Sequence, residues 1–250
     1  MIEQKTFIVL SHPRSGTTYL NNFILSSNEI VQCYDELFNL NDITKSWLKQ
    51  MNFKTIRDFP YYFYTKIYNS KYTVSRYVND FARKSRKITD KEITGFKLFP
   101  FQLSSREIEH LIINLQIPVI LVRRRNFIQA AISYEIAKAT NQWDHRSKAN
   151  LDNIEIKIEN LHRFIRTYYD KLDYYEEVLR INNQKSFKCY YEELFLLDTI
   201  NAIFDFLGAP KISEIPEWGN KLNTIDRYKK ITNLNQIKLN FCNEKYGYLE

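Results

Sequence analysis

Residues 7–27, "FIVLSHPRSGTTYLNNFILSS", decide the fold. Phe7 to Leu10 are an unbroken apolar run, which predicts a strand buried on both faces. Thr17 to Ser26 carry apolar residues at Leu20, Phe23 and Ile24, the spacing of a helix. Between them Pro13, Arg14, Ser15 and Gly16 make a charged, hydroxyl-rich turn. Such a turn joins the carboxyl end of a strand to the start of a helix, which is where open parallel sheets bind their ligands.

The same unit recurs along the chain. "ITGFKLF" at 93–99 and "IPVILVRR" at 117–124 predict two more buried strands, each flanked by helical patterns. "SFKCYY" at 186–191 predicts a fourth, followed by "EELFLLDTINAIFDFLG", a helix that ends at Gly208 with Pro210 soon after. Residues 152–181 predict a long amphipathic helix through Ile154, Ile158, Leu161, Ile165 and Leu172. This alternation predicts the α/β class: a P-loop-like central parallel β-sheet flanked by helices, in a single domain, 1–250. Residues 42–87 predict a helical, aromatic-rich insertion. Within it "FPYYFYTKIYNSKYTVSRY" at 59–77 fits either stacking of single-stranded nucleic acid or, more economically, a core or interface stripe.

Composition narrows the functional classes. With 44% hydrophobic residues and only 5 Gly and 6 Pro in 250 residues, the chain is globular without long linkers. Its net charge of +7 suits an anionic partner: a phosphate-bearing small molecule, nucleic acid or an acidic surface. Cys33, Cys189 and Cys242 are far apart and form no Cys-x-x-Cys pair, which predicts neither a disulfide framework nor a zinc site. His110, His145 and His162 lack metal spacing. No run approaches the roughly 18 apolar residues of a membrane helix, and the first apolar run is too short for a signal peptide, so a cytoplasmic protein is expected.

The first turn has the parts of a phosphate cradle. The helix start offers unpaired N–H groups and the positive end of its dipole. Gly16 admits close backbone approach, Ser15, Thr17 and Thr18 bring hydroxyls, and Arg14 brings a permanent charge. Helix capping by Ser15 or Thr17 is the alternative. The ATP-binding pattern G-x-x-x-x-G-K-[ST] is absent, because "HPRSGTT" lacks the first glycine and has Thr17 in place of the lysine. The run "VILV" then ends in Arg123, Arg124 and Arg125, with Ser133 eight residues beyond Arg125 on the next helix. That is a second anion site, or a solvated strand end.

"HPRSGTTYL" and "RRRNFIQAAISY" resemble the two signature segments of sulfotransferases that use 3′-phosphoadenosine 5′-phosphosulfate, PAPS. The resemblance implies that Arg14, Ser15, Gly16, Thr17 and Thr18 hold the 5′-phosphosulfate, and that Arg125 and Ser133 hold the 3′-phosphate. "YYEELFLLDTINAIFDFLGAP" is similar to the family's Tyr-Glu-x-Leu segment, which places Tyr191 near the adenine. "KLNTIDRYKKITNLNQI" at 221–237 is similar to the part that closes over the nucleotide, with Arg227 and Lys229 as its contacts.

"QAAISYEIAKATNQW" and "CYDELF" are more like the bacterial trehalose-type members. Where the animal-type pattern has Lys-Thr-His-Leu-Pro, this chain reads "FKLFPFQL", with Lys97 and no histidine. The resemblance therefore implies Glu36 as the base, with Arg14 facing the bond that breaks. Asp35 is adjacent, and by residue type alone an Asp-Glu pair reads as a solvated turn. Glu36 and Lys97 are the implied acceptor contacts, with the insertion at 42–87 near them. The implied activity is transfer of a sulfuryl group from PAPS to a carbohydrate or glycolipid hydroxyl. It releases 3′,5′-adenosine bisphosphate and needs no metal. The implied partner is a small-molecule acceptor rather than nucleic acid, and contact with a membrane surface and a homodimer stay open. His12 donates to the leaving phosphate or makes a structural hydrogen bond. A P-loop kinase and an inactive nucleotide-binding module are the rival readings.

Overall fold

The computed structural model describes residues 5–38, 73–141, 143, 153–216, 228 and 231–241. Five strands, β1 (Lys5–Ser11), β2 (Val31–Glu36), β3 (Ile93–Leu98), β4 (Val119–Arg123) and β5 (Ser186–Tyr190), form one sheet in the order β2-β3-β1-β4-β5. Every pairing is parallel, so all five carboxyl ends lie along one edge. The chain leaves β1 toward β2 and β3 on one side and toward β4 and β5 on the other. The topological switch therefore falls at β1, the strand that feeds the first turn.

The helices, in chain order, are α1 (Thr17–Tyr19, continued by π-helical turns over Leu20–Leu25), α2 (Thr73–Thr89), α3 (Ser105–Glu109) and α4 (Phe127–Thr140). They are followed by α5 (Ile158–Phe164), α6 (Asp170–Ile181), α7 (Leu197–Leu207) and α8 (Leu234–Phe241). Local chemistry sets several boundaries. Ser104 and Glu107 form a reciprocal capping box at the start of α3. The Asn126 side chain accepts the Gln129 N–H and caps α4. Gly208, at φ 72°, ends α7 in the left-handed conformation.

Strand alternation sends successive side chains into different layers. Ile8, Leu10, Phe96, Leu98, Val119 and Leu121 pack with α2, α3 and α6 on one face of the sheet. Phe7, Val9, Ile93, Ile120, Val122 and Cys189 pack with α1 and α7 on the other. A third cluster joins α4, α5 and α8. Cys33 and Cys189 are buried thiols, and burial pushes Cys189 up to about 12. Among the described residues no group of three His, Cys, Asp or Glu is arranged to hold a metal, and no helix is long and apolar enough to cross a membrane.

Two elements differ from the sequence reading. β2, "VQCYDE", has no long apolar run, and its strand character comes from pairing with β3. The helix expected from 152 begins only at Ile158. The backbone before it is taken up elsewhere: Thr232 N–H donates to the Ile154 carbonyl at 3.0 Å, and Asn233 bonds both the N–H and the carbonyl of Ile156. Of the insertion expected at 42–87, α2 is helical; 42–72, with most of the aromatic stretch 59–77, lies outside the described residues.

Gly95 of β3 stands opposite Phe7 of β1, and a Cβ there would collide with the Phe7 ring, 2.5 Å from Cε1. Phe7 is fully buried and has nowhere to turn. Gly95→Ala is expected to destabilise the fold by about 2 kcal/mol, read as a melting temperature lower by about 5 °C. An unchanged melting temperature would show that β1 and β3 can separate to admit a methyl group.

Candidate functional site

Every candidate side chain within the described residues lies on the carboxyl-terminal edge of the sheet or on α4 beside it. The first turn leaves β1 through two left-handed residues, Arg14 at φ 66° and Gly16 at φ 76°. Only glycine fits the second. A Cβ on Gly16 would lie 2.6 Å from Cε2 of Tyr191, whose ring rests on the turn. Ser15 is buried and donates to the His12 carbonyl at 2.7 Å, which closes the turn on itself. Helix α1 then starts without a side-chain cap, with Thr17 buried and Thr18 exposed. Neither hydroxyl occupies the cap position, so no side chain closes the helix start.

His12 is fully buried, edge-on to Phe127 at 4.5 Å. Its Nδ1 lies 2.8 Å from the Pro13 carbonyl, which can only accept, so Nδ1 carries the proton. Burial first, with Arg124 and Arg123 adding to it, lowers its pKa to about 3 against the single opposing hydrogen bond to Pro13. His12 is therefore a neutral structural side chain.

Strand alternation splits the arginine triplet. Arg123 faces α6, where it pairs with Asp173 at 2.6 Å and Glu176 at 2.9 Å and lies over the Tyr169 ring. Arg124 faces the opposite layer. Its Nη1 donates to the Arg14 carbonyl at 3.3 Å, its Nη2 to Gln129 at 3.1 Å, and its guanidinium stacks on Tyr191 at 5.0 Å. Its Nε is buried with no hydrogen-bond partner, and the Glu192 carboxylate stands off at 4.0 Å. Arg125 turns outward. It pairs with Glu193 and lies over the Tyr190 ring at 4.4 Å.

Ser133 and Arg125 are thus not brought together; Ser133 instead meets Arg14. The Arg14 Nε donates to Ser133 Oγ at 3.0 Å and its Nη1 to the Trp143 carbonyl at 2.7 Å. The two arginines cross: Arg14 reaches from the first turn to α4, and Arg124 reaches from the second turn back to the first. Arg227 and Lys229 lie outside the described residues.

The other half of the site lies at the ends of β2 and β3. A bulge between Tyr34 and Glu36 shifts the register so that Glu36 stands opposite Lys97. The buried Lys97 ammonium sits between two carboxylates, Asp35 at 3.2 Å and Glu36 at 3.3 Å. Burial acts to lower its pKa, but Asp35 and Glu36 outweigh burial and the net shift is upward, so Lys97 stays charged. Asp35 is exposed, whereas the Glu36 side chain is only 17% exposed, which distinguishes the neighbours. Gln102 donates to the second Glu36 oxygen at 2.8 Å. Burial, then Tyr134, then the Glu36 charge push the Tyr168 hydroxyl upward.

Sequence reasoning passed over Arg124, Gln102 and Tyr168. Counting alternate residues along "VILVRR" was the available signal for Arg124. A cleft of about 510 Å³ is lined by Arg124 and by four further cations, Arg123, Arg125, Arg180 and Lys188, that pair closely with Asp173, Glu176, Glu177 and Glu193. We read these four pairings as a structural ion network.

No protein-family model and no curated protein matches the chain. Several solved structures are similar to it, among them two sulfotransferases. One is a sulfotransferase from Alicyclobacillus acidocaldarius, at 14% identity over 94% of this chain and 95% of that one, with a TM-score of 0.48. The other is a sulfotransferase domain from the curacin biosynthetic pathway, at 14% identity over 98% of this chain and 89% of that one, also with a TM-score of 0.48.

The His12 environment fixes a pH dependence. The folded-state pKa of about 3 lies below the ordinary 6.5, so the unfolded chain binds the extra proton. Stability then falls as pH drops from about 6.5 toward 3, by about 3 kcal/mol at pH 4. Urea unfolding at pH 7 and pH 4.5 should show a smaller pH-dependent loss in His12→Asn than in the parent. Equal losses would mean that His12 does not titrate on unfolding.

Proposed function

We propose that this protein is a PAPS-dependent sulfotransferase acting on an acceptor hydroxyl, with a carbohydrate or glycolipid as the acceptor class. The observation that carries this reading is the division of the sheet edge. Arg14, Arg124, Ser133 and Tyr191 gather at the ends of β1, β4 and β5, while Glu36 and Lys97 gather at the ends of β2 and β3. A cationic half suited to a doubly phosphorylated nucleotide thus adjoins a carboxylate half suited to accepting a proton.

The residues fit the nucleotide on physical grounds. The uncapped start of α1 and the close approach allowed by Gly16 support the 5′ side. The partly buried Arg124 guanidinium donates its hydrogen bonds to neutral acceptors and has one carboxylate, Glu192, only at 4.0 Å, which supports a further anion nearby. The Tyr191 ring beside Gly16 supports the expected adenine contact. Ser133 supports the 3′ side, and Arg125 joins it only by leaving Glu193. The sequence resemblance supplies the identity of the nucleotide.

Bound PAPS supplies the sulfuryl group. In the proposed reaction Glu36 accepts the acceptor's hydroxyl proton as its oxygen attacks. Arg14 stabilises the negative charge that grows on the departing 5′-phosphate; a guanidinium does this without giving up a proton. Lys97 keeps a positive charge against the Glu36 carboxylate.

Thermal unfolding with 3′,5′-adenosine bisphosphate, 5′-AMP and ATP plus Mg²⁺ tests the nucleotide. The bisphosphate should raise the melting temperature most, as a ligand of the native state does. Stabilisation by ATP with Mg²⁺ alone would support a kinase instead. With labelled PAPS and a metabolite extract, Glu36→Gln should lower sulfate transfer by about 100-fold or more. Undiminished transfer would remove Glu36 as the base.

A further inference from the structure

We propose that Gln102 is the positioning residue that aims Glu36, an inference resting on the reading of Glu36 as the base. The segment "FKLFPFQL" at the end of β3 has no histidine to act as a base itself. It supplies instead the two groups that hold the carboxylate across from it, Lys97 and Gln102.

The orientation of the Gln102 amide is fixed by its own turn. The Phe99 N–H donates to Gln102 Oε1 at 2.8 Å, and the Gln102 N–H donates to the Phe99 carbonyl at 3.0 Å. A backbone N–H can meet only the oxygen of a side-chain amide, so the amide cannot flip. Nε2 is thereby committed to face Glu36, and it donates to Oε2 at 2.8 Å. The bond is charge-assisted, of the stronger kind.

Lys97 could not aim Glu36 alone. Its ammonium is a compact charge without a preferred plane, and it is shared between Asp35 and Glu36. The planar amide adds the direction. With one oxygen on Lys97 and the other on Gln102, rotation of the carboxylate would break a bond on each side. Among the described residues, the charged and titratable groups around Glu36 include Lys97 from β3, Asp35 from β2 and Tyr168 from the turn after α5. Gln102 adds a neutral, non-titrating donor beside them, and it acts through Glu36.

Two substitutions separate this role from a structural one. Gln102→Glu keeps the shape and the Phe99 hydrogen bond but sets a second carboxylate 2.8 Å from Glu36 Oε2. Two carboxylates so close cannot both ionise readily. Gln102→Met keeps the volume and removes the donor. PAPS turnover is measured from pH 5 to 9 as 3′,5′-adenosine bisphosphate released, with water or methyl glucosides as acceptor. Calorimetry measures binding of the bisphosphate, and melting curves establish that each variant is folded.

Gln102→Glu should move the acid limb of the kcat profile up by about one pH unit or more, with KM for PAPS and bisphosphate affinity unchanged. Gln102→Met should lower kcat by about tenfold, also with KM for PAPS unchanged. If the parent turns PAPS over and Gln102→Glu leaves the acid limb in place, Gln102 does not aim the base. If the parent binds no bisphosphate and turns over no PAPS, the sulfotransferase reading itself fails, and the role of Gln102 falls with it.

Discussion

The hydrogen bond from Arg124 to the Arg14 carbonyl is the contact on which the rest of the cationic half depends. Arg14 is left-handed at φ 66°, a conformation a non-glycine residue holds only when its surroundings require it. Arg124 holds that carbonyl from the neighbouring strand, and the turn then projects the Arg14 side chain outward to Ser133. The same guanidinium lies on Tyr191, whose ring rests on Gly16. Three segments far apart in sequence, the turns after β1 and β4 and the segment after β5, thus meet on one arginine.

Helix α4 couples this half to the other. Ser133 receives Arg14, and the next residue, Tyr134, hydrogen-bonds Tyr168, which lies in the field of Glu36. Tyr134 also packs edge-on against Trp143, whose carbonyl receives Arg14. Consecutive helical residues point about 100° apart, so one turn of α4 addresses both halves at once. The site is wide, but its two sides are fastened to the same few residues.

The sheet was largely legible because parallel strands buried on both faces are rich in apolar residues, and β1, β3 and β4 each carry a short apolar run. β2 escaped because it is an edge strand with a bulge, and "VQCYDE" mixes polar and apolar residues on both faces. The Asp35 and Glu36 pair consequently looked like a solvated turn. In the strand, the bulge gives the two carboxylates different exposures around one buried ammonium. The arginine triplet looked like a single charged strand end, although alternation alone divides it between two layers. Gln102 could not be read from sequence at all. Its partner lies 66 residues away, and its orientation depends on a turn that forms only once β3 ends.

The arrangement also keeps the two halves from cancelling each other. Glu36 is paired with Lys97 of the neighbouring strand rather than with Arg14 or Arg124 of the cationic half. Lys97 satisfies one Glu36 oxygen locally with an ammonium that is itself buried. Arg124 donates its hydrogen bonds to neutral acceptors, a backbone carbonyl and an amide oxygen, with the Glu192 carboxylate further off at 4.0 Å. The aromatic residues Tyr134 and Tyr168 stand on the path between the halves and add no charge to it. A guanidinium whose side chain is only 10% exposed is costly to place in the folded protein, and a nearby anion relieves part of that cost. In the proposed function the nucleotide would supply such an anion.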